Sequence, residues 1–248
     1  MALVFAAPFG LLIGSFLNVV AYRLPRGESL SHPRSRCPHC SAQLRAIDNI
    51  PVVSWVALRG RCAHCGGPVS ARYPLVELST GALYAAVVAT QDDAVRIALG
   101  LLLATALVPI TLIDFDHRII PNTITGPAAI AALVAIAALD SGFLVEALVS
   151  ALAGGGFFFI AAVLYPRGMG MGDVKLAGVL GLYLGRAVAP AILIALIAGV
   201  LVGAAVIARK GAAEGRKTAV PFGPFLALGG VIAFFVGNEI VDAYLDTF

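Results

Sequence analysis

The sequence predicts an all-α membrane protein, a polytopic helical bundle of about eight transmembrane helices interrupted by one polar segment. Three observations carry this reading. Of the 248 residues, 60% are hydrophobic and only 12% are charged, about half of the roughly 25% charge expected of a soluble domain. Apolar runs recur along most of the chain, near the length of about 20 residues that crosses a hydrocarbon core. The strand-type alternation of outer-membrane barrels is absent, which leaves helices to satisfy the backbone polar groups in lipid.

The spans are expected at residues 3–22, 75–90, 97–113, 123–139, 144–164, 174–185, 187–208 and 222–241. The first resembles a secretory signal peptide in hydropathy, but no Lys or Arg precedes Arg23, so it reads as a retained first helix. The run 174–185 is short for a crossing and is expected to be tilted, re-entrant or extended by its flanks. Three parts follow: a first transmembrane helix at 1–22, a polar segment at 23–74, and a transmembrane core at 75–248.

Charge sets the expected orientation, because Lys and Arg collect on the cytoplasmic side. With the N-terminus outside, the polar segments that follow spans 1, 3, 5 and 7, with Arg209 and Lys175 at their edges, hold fifteen of the seventeen basic residues, and only Arg96 and Arg186 fall elsewhere. Asp92, Asp93, Asp140, Asp242 and Asp246 fall on the opposite side, and an even number of spans returns the C-terminus outside. This arrangement puts the four cysteines, Asp114, Asp116 and Asp173 on one cytoplasmic face.

The cysteines form two Cys-x-x-Cys pairs, Cys37 with Cys40 and Cys62 with Cys65, separated by twenty-one residues. Two such knuckles present four thiolates to one tetrahedral metal, and a cytoplasmic location disfavours disulfides. The expectation is a small zinc-binding cytoplasmic segment whose metal is structural, with His39 and His64 outside the ligand set. Closed tetrathiolate sites fold short segments, whereas a catalytic zinc keeps one position open.

The remaining chemistry lies in acids at membrane boundaries, which are expensive to keep there and therefore candidates for function. Asp114 and Asp116 end one span in Leu112-Ile113-Asp114-Phe115-Asp116-His117-Arg118-Ile119-Ile120-Pro121-Asn122. Two residues apart on a helix, they point about 200° away from one another, so one of them is expected to act and the other to support. Asp173 follows Gly168, Gly170 and Gly172 in a segment read as flexible, where glycine permits close backbone approach; Lys175 lies just beyond. Capping of the following helix is the alternative role for Asp173, and orientation anchoring that for Lys175. Two carboxylates sharing a site support peptide hydrolysis without a covalent intermediate, one activating water while the other, protonated, polarises the carbonyl. The chain holds no G-x-S-x-G, H-E-x-x-H or P-loop.

The pattern as a whole resembles the bacterial type IV prepilin peptidases, membrane aspartic proteases of the G-x-G-D class. The resemblance rests on Gly14-Ser15-Phe16-Leu17-Asn18-Val19-Val20 with Tyr22-Arg23-Leu24-Pro25, on Ser35-Arg36-Cys37-Pro38-His39-Cys40, and on Asn49-Ile50-Pro51 with Ser54-Trp55. It continues through Leu58-Arg59-Gly60-Arg61-Cys62, Arg72-Tyr73-Pro74-Leu75-Val76-Glu77, the seven-residue step from Asp114 to Pro121, and Gly170-Met171-Gly172-Asp173. It implies Asp114 and Asp173 as the catalytic pair, with Asp116, Gly170, Gly172 and Lys175 in support; Asn122 stands where many relatives carry Asp. It further implies an inner-membrane enzyme that removes the basic leader of prepilins or pseudopilins with an apolar N-terminal helix, at the cytoplasmic face among membrane lipid.

Relatives with the four-cysteine segment commonly N-methylate the new terminus from S-adenosylmethionine, so methylation is expected here. No dinucleotide-type fingerprint marks a donor site, and Arg72 and Glu77 are the candidates, with helix-end packing and charge anchoring as the alternative. No nucleic-acid partner is expected. A proton-coupled transporter would more often hold its acids at the bilayer midplane, and a non-enzymatic zinc-bearing scaffold would have no use for matched acids. Reporter fusions test the topology: those at Arg118 and Arg216 should report cytoplasm and those at Asp93 and Ser141 the outside. An odd number of spans would break this alternation.

Overall fold

Each of the eight apolar runs matches one helix of the computed structural model to within one residue at its ends or lies inside it; the structure describes residues 2–165, 169–211 and 220–247. The helices are α1 (Ala2–Arg23), α3 (Arg72–Thr90), α4 (Ala94–His117), α5 (Asn122–Leu139), α6 (Leu144–Leu164), α7 (Met171–Leu184), α8 (Val188–Lys210) and α9 (Gly223–Leu245), with a single-turn α2 (Val53–Ala57) in the polar segment. Gly168, Arg167, Arg216 and Lys217, used above in reading the loops, lie outside the described residues. Among the described residues, six segments are long and apolar enough to cross a membrane; one of them, Met171–Lys210, runs through both α7 and α8, and α3 is not among the six. The protein is an all-α, polytopic membrane protein.

Contacts divide the chain into two units, Met1–Asp92 and Asp93–Phe248. In the first, α1 packs along α3. Small residues allow the approach, since a Cβ at Gly10 would stand 2.8 Å from Gly81 Cα and one at Gly14 2.8 Å from Glu77 Cα. Asn18 fastens the end of this pair, donating from Nδ2 to the Tyr73 carbonyl at 3.2 Å. The polar segment between them is held by few regular elements. Arg23 draws it back by donating to the carbonyls of Ser29 (2.8 Å) and Pro33 (2.6 Å), and the Trp55 indole donates to the Val69 carbonyl at 3.0 Å.

In the second unit α7 is the central helix, touching α4, α5, α6, α8 and α9. Leu176, Ala177, Leu180 and Tyr183 are fully buried along it, and the Tyr183 hydroxyl donates to the Ala128 carbonyl of α5 at 2.7 Å. Its 14 residues rise about 21 Å, short of the roughly 30 Å of hydrocarbon. Gly185, at φ +58°, ends it and leads through the turn Gly185–Ala187 into α8. The glycine-punctuated stretch read as flexible is helical from Met171 onward, so Gly172 and Asp173 sit in the first turn of α7. The reason is steric: a Cβ at Gly172 would come 3.0 Å from Ile120 Cβ, so glycine here serves helix packing.

At the other end of α7, the Arg186 guanidinium pairs with Asp242 at 2.9 Å and its backbone N–H donates to Glu146 Oε1 at 2.9 Å. Both side chains of the ion pair are exposed, so it contributes little to stability. The α6–α7 contact matters more. A Cβ at Gly181 would collide with the Ser150 carbonyl oxygen and lie 2.5 Å from Ala151 Cα, both backbone atoms with little freedom to move. Gly181→Val should destabilise the protein by about 1–3 kcal/mol or more, read as a lower thermal midpoint in detergent.

Candidate functional site

The last turn of α4 delivers Asp114 inward and Asp116 outward. Asp114 is only 5% exposed, while Asp116, two residues on, is exposed. Arg118 closes the helix in the left-handed region at φ +56°, ψ +42°, and its N–H returns to the Asp114 carbonyl at 2.9 Å. The Asp114 side chain reaches α9, where Oδ2 accepts the Gly223 N–H at 2.9 Å.

Asp173 occupies the first turn of α7, where unpaired N–H groups favour a carboxylate. Its own N–H donates to the Gly170 carbonyl at 3.1 Å, and it lies within electrostatic range of Asp114. Helices α4 and α7 therefore bring the two predicted acids into one neighbourhood of the second unit. Ile120 stands between the surrounding segments: Cβ atoms built at Gly172 and Gly223 would lie 3.0 and 3.3 Å from its side chain. A Cβ at Gly170 would come 3.4 Å from Asp173 Oδ2. Lys175 Nζ donates to Asn122 Oδ1 at 2.9 Å and so ties the first turn of α7 to the start of α5.

In the first unit the two cysteine knuckles repeat one local design. Cys37 N–H donates to the Ala42 carbonyl at 2.9 Å and Ser41 N–H to the Cys37 carbonyl at 2.9 Å; Cys62 with Gly67, and Gly66 with Cys62, make the same bonds at 2.8 and 2.9 Å. Ser41 at φ +58° and Gly66 at φ +68° make the matching turns. The four Sγ atoms lie within 4.8 Å of one another, with Cys37 and Cys65 3.9 Å apart. Sulfurs about 2.3 Å from a central zinc lie about 3.8 Å apart in a tetrahedron, so the cluster fits a metal ion of that size. Backbone N–H groups of Cys40 and His39 pull the Cys37 thiol down to about 7, and those of Cys65 and His64 lower that of Cys62. Both effects favour the thiolate a metal needs.

The same unit holds a cavity of about 580 Å³, lined among others by Asn18, Arg23, Trp55, Tyr73 and Glu77. Glu77 is buried, and its Oε2 accepts the Val52 N–H at 2.7 Å. Arg72 is exposed on the first turn of α3 and is not among the residues lining this cavity.

Two family models match the chain: the bacterial peptidase A24 N-terminal domain over residues 9–91 and the type IV leader peptidase family over residues 101–207. Proteins named prepilin leader peptidase/N-methyltransferase are similar over nearly the whole length. That of Stutzerimonas stutzeri is 35% identical, covering 97% of this chain and 93% of the relative. Those of Aeromonas hydrophila and Dichelobacter nodosus are 37% and 34% identical, again covering 97% of this chain, with 92% and 93% of the relatives. The chain belongs to the type IV leader peptidase family. No solved structure matches it.

As a member of this family it is a multi-pass inner-membrane protein, and the two family models fall within the two units set by contacts. Sequence reasoning missed Gly223, Ile120 and the Lys175–Asn122 contact. Gly223 had one visible signal, the run Pro221-Phe222-Gly223-Pro224 at the start of the last apolar stretch; nothing in the sequence singled out Ile120. The metal cluster yields a direct test. Purified wild-type protein should carry one zinc per chain, and Cys62→Ser should bring this below about 0.1 while the segment 23–74 becomes protease-sensitive. Retention of stoichiometric metal by Cys62→Ser would remove the site.

Proposed function

We propose that this family member is an aspartic endopeptidase that removes the leader of prepilins or pseudopilins and then N-methylates the new N-terminus, with Asp114 and Asp173 as the catalytic pair. The observation that carries the peptidase reading is that the buried Asp114 and the first turn of α7 with Asp173 meet around Ile120, which Gly172 and the Asp114-bonded Gly223 both approach. One carboxylate takes a proton from water as the water attacks the scissile carbonyl. The other gives a proton to the carbonyl oxygen; as the C–N bond breaks, the proton taken from water passes to the leaving amine and the second carboxylate recovers its own. Asp116, directed away, is a supporting surface acid. Gly170 keeps the approach to Asp173 clear, Gly172 lets the first turn of α7 pack against Ile120, and Lys175 holds α7 against α5.

The orientation follows the basic asymmetry: both termini outside, with the acids and the cysteine segment cytoplasmic. It counts eight crossings, α7 and α8 being separate passes. The division into a first helix at 1–22, a zinc-binding segment at 23–74 and a peptidase core at 75–248 is the functional reading, with zinc closed off by four thiolates and therefore structural.

Methylation belongs with the first unit. Its cavity falls in the usual 300–1,000 Å³ range for small-molecule sites, and it combines a buried carboxylate, Glu77, with an indole, an arginine and an amide. This donor set fits S-adenosylmethionine, with its cationic centre, carboxylate and aromatic base; when bound, it supplies the methyl group. Arg72, exposed outside this cavity, has the weaker claim of the two candidates. Asp114→Ala and Asp173→Ala should each reduce cleavage of a purified prepilin by at least about 1,000-fold. Both should still methylate a pre-cleaved pilin, scored by mass spectrometry, and full cleavage by either would refute the pair.

A further inference from the structure

We infer that Gly223 is a positioning residue for the peptidase reaction, its backbone N–H fixing the Asp114 carboxylate and its missing side chain leaving room for that contact. The inference rests on the peptidase reading above and assigns a role to a residue more than a hundred positions from the acid it serves.

A helix begins with N–H groups that have no partner within it. At the start of α9 the sequence Phe222-Gly223-Pro224-Phe225-Leu226 disposes of nearly all of them. Pro224 has none to offer. Phe225 and Leu226 both turn back to the Phe222 carbonyl, at 3.0 and 3.2 Å. The Gly223 N–H is the donor left over, and it points at Asp114 Oδ2, 2.9 Å away in a buried contact. The glycine–proline step thus concentrates the positive end of α9 on one oxygen of one carboxylate.

The contact leaves no space for a methyl group. A Cβ at Gly223 would stand 2.7 Å from Asp114 Oδ2 and 3.1 Å from its Cγ, with Ile120 Cδ1 3.3 Å away on the other side. The neighbour that must yield is the reacting carboxylate itself. Since Oδ2 is engaged with the backbone, Oδ1 is the oxygen left for the attacking water or the scissile carbonyl, and the bond fixes the plane of the carboxylate.

The test compares two alanine substitutions at opposite ends of α9. Gly237→Ala introduces an equally tight contact, 2.7 Å from Ala187 Cβ, remote from both acids. With wild-type enzyme cleaving a prepilin in detergent, Gly223→Ala should lower kcat about 100-fold, the scale of a roughly 1 Å misplacement, with KM little changed. Gly237→Ala should lower the thermal midpoint and keep kcat. Wild-type kcat in Gly223→Ala would overturn the inference. So would an equal loss of kcat in Gly237→Ala, which would make the effect at Gly223 one of packing only. Failure of the wild-type enzyme to cleave would count against the peptidase reading instead.

Discussion

A carboxylate at 5% exposure in an apolar bundle is the constraint around which the second unit is built. Burying an acid without partners costs several kcal/mol, and Asp114 has a further disadvantage. It sits in the last turn of α4, where unpaired carbonyls make the local field negative. Two devices answer this. The left-handed Arg118 turns its N–H back onto the Asp114 carbonyl, and the first residue of α9 presents a backbone N–H to the side chain. The end of α4 and the beginning of α9 must therefore meet in a fixed register. Asp173 needs no such help, because the first turn of α7 offers it the favourable end of a helix.

That register depends on how closely the other helices can approach. Helix α7 is too short to cross alone, yet it touches five neighbours, so it is supported by side-on packing. Gly181 lets it lie against the backbone of α6. Gly229 does the same between α9 and α8, where a Cβ would collide with the Ala191 carbonyl oxygen. In lipid, where apolar side chains gain nothing by leaving solvent, such van der Waals approach is a main source of helix association. Lys175 and Tyr183, bonded to Asn122 and the Ala128 carbonyl, fix α7 against α5 near its start and near its end. The placement of the first turn of α7, and with it Asp173, follows from contacts along the whole helix.

The positions of the long helices were legible because hydropathy is a local property: a run of apolar residues in a chain this poor in charge has little alternative to a buried helix. The cysteine cluster was legible for a similar reason, since each knuckle closes within six residues and the spacing alone brings four sulfurs together. What the sequence hid was non-local. The start of α7 at Met171 was obscured because Gly172 looks like a loop residue until Ile120 is seen beside it. Asp114 and Asp116 could be told to diverge, but only the structure turns Asp114 toward α9. The Gly223 contact joins residues 109 positions apart, and no periodicity encodes such a pairing.

On the proposed assignment the two chemistries differ in what they require, and this suits them to separate units. Hydrolysis needs two carboxylates shielded from bulk water, which a close-packed bundle with an acid at a helix end supplies. Methyl transfer needs an amine with a free lone pair and a site able to hold a polar donor. A cavity bordered by a metal-ordered polar segment is better suited to that than a bundle interior. The order of the steps follows from bonding. Before cleavage the nitrogen to be methylated belongs to a peptide bond, and its lone pair is delocalised into the carbonyl. Only hydrolysis frees it as an α-amine, with a pKa of about 8, close enough to neutrality for a useful fraction to be unprotonated. Glu77 is the buried carboxylate of that cavity, and in the proposed scheme it orients the amine or takes its proton. In the proposed scheme the acid pair thus creates the nucleophile that methyl transfer consumes, and methylation cannot come first.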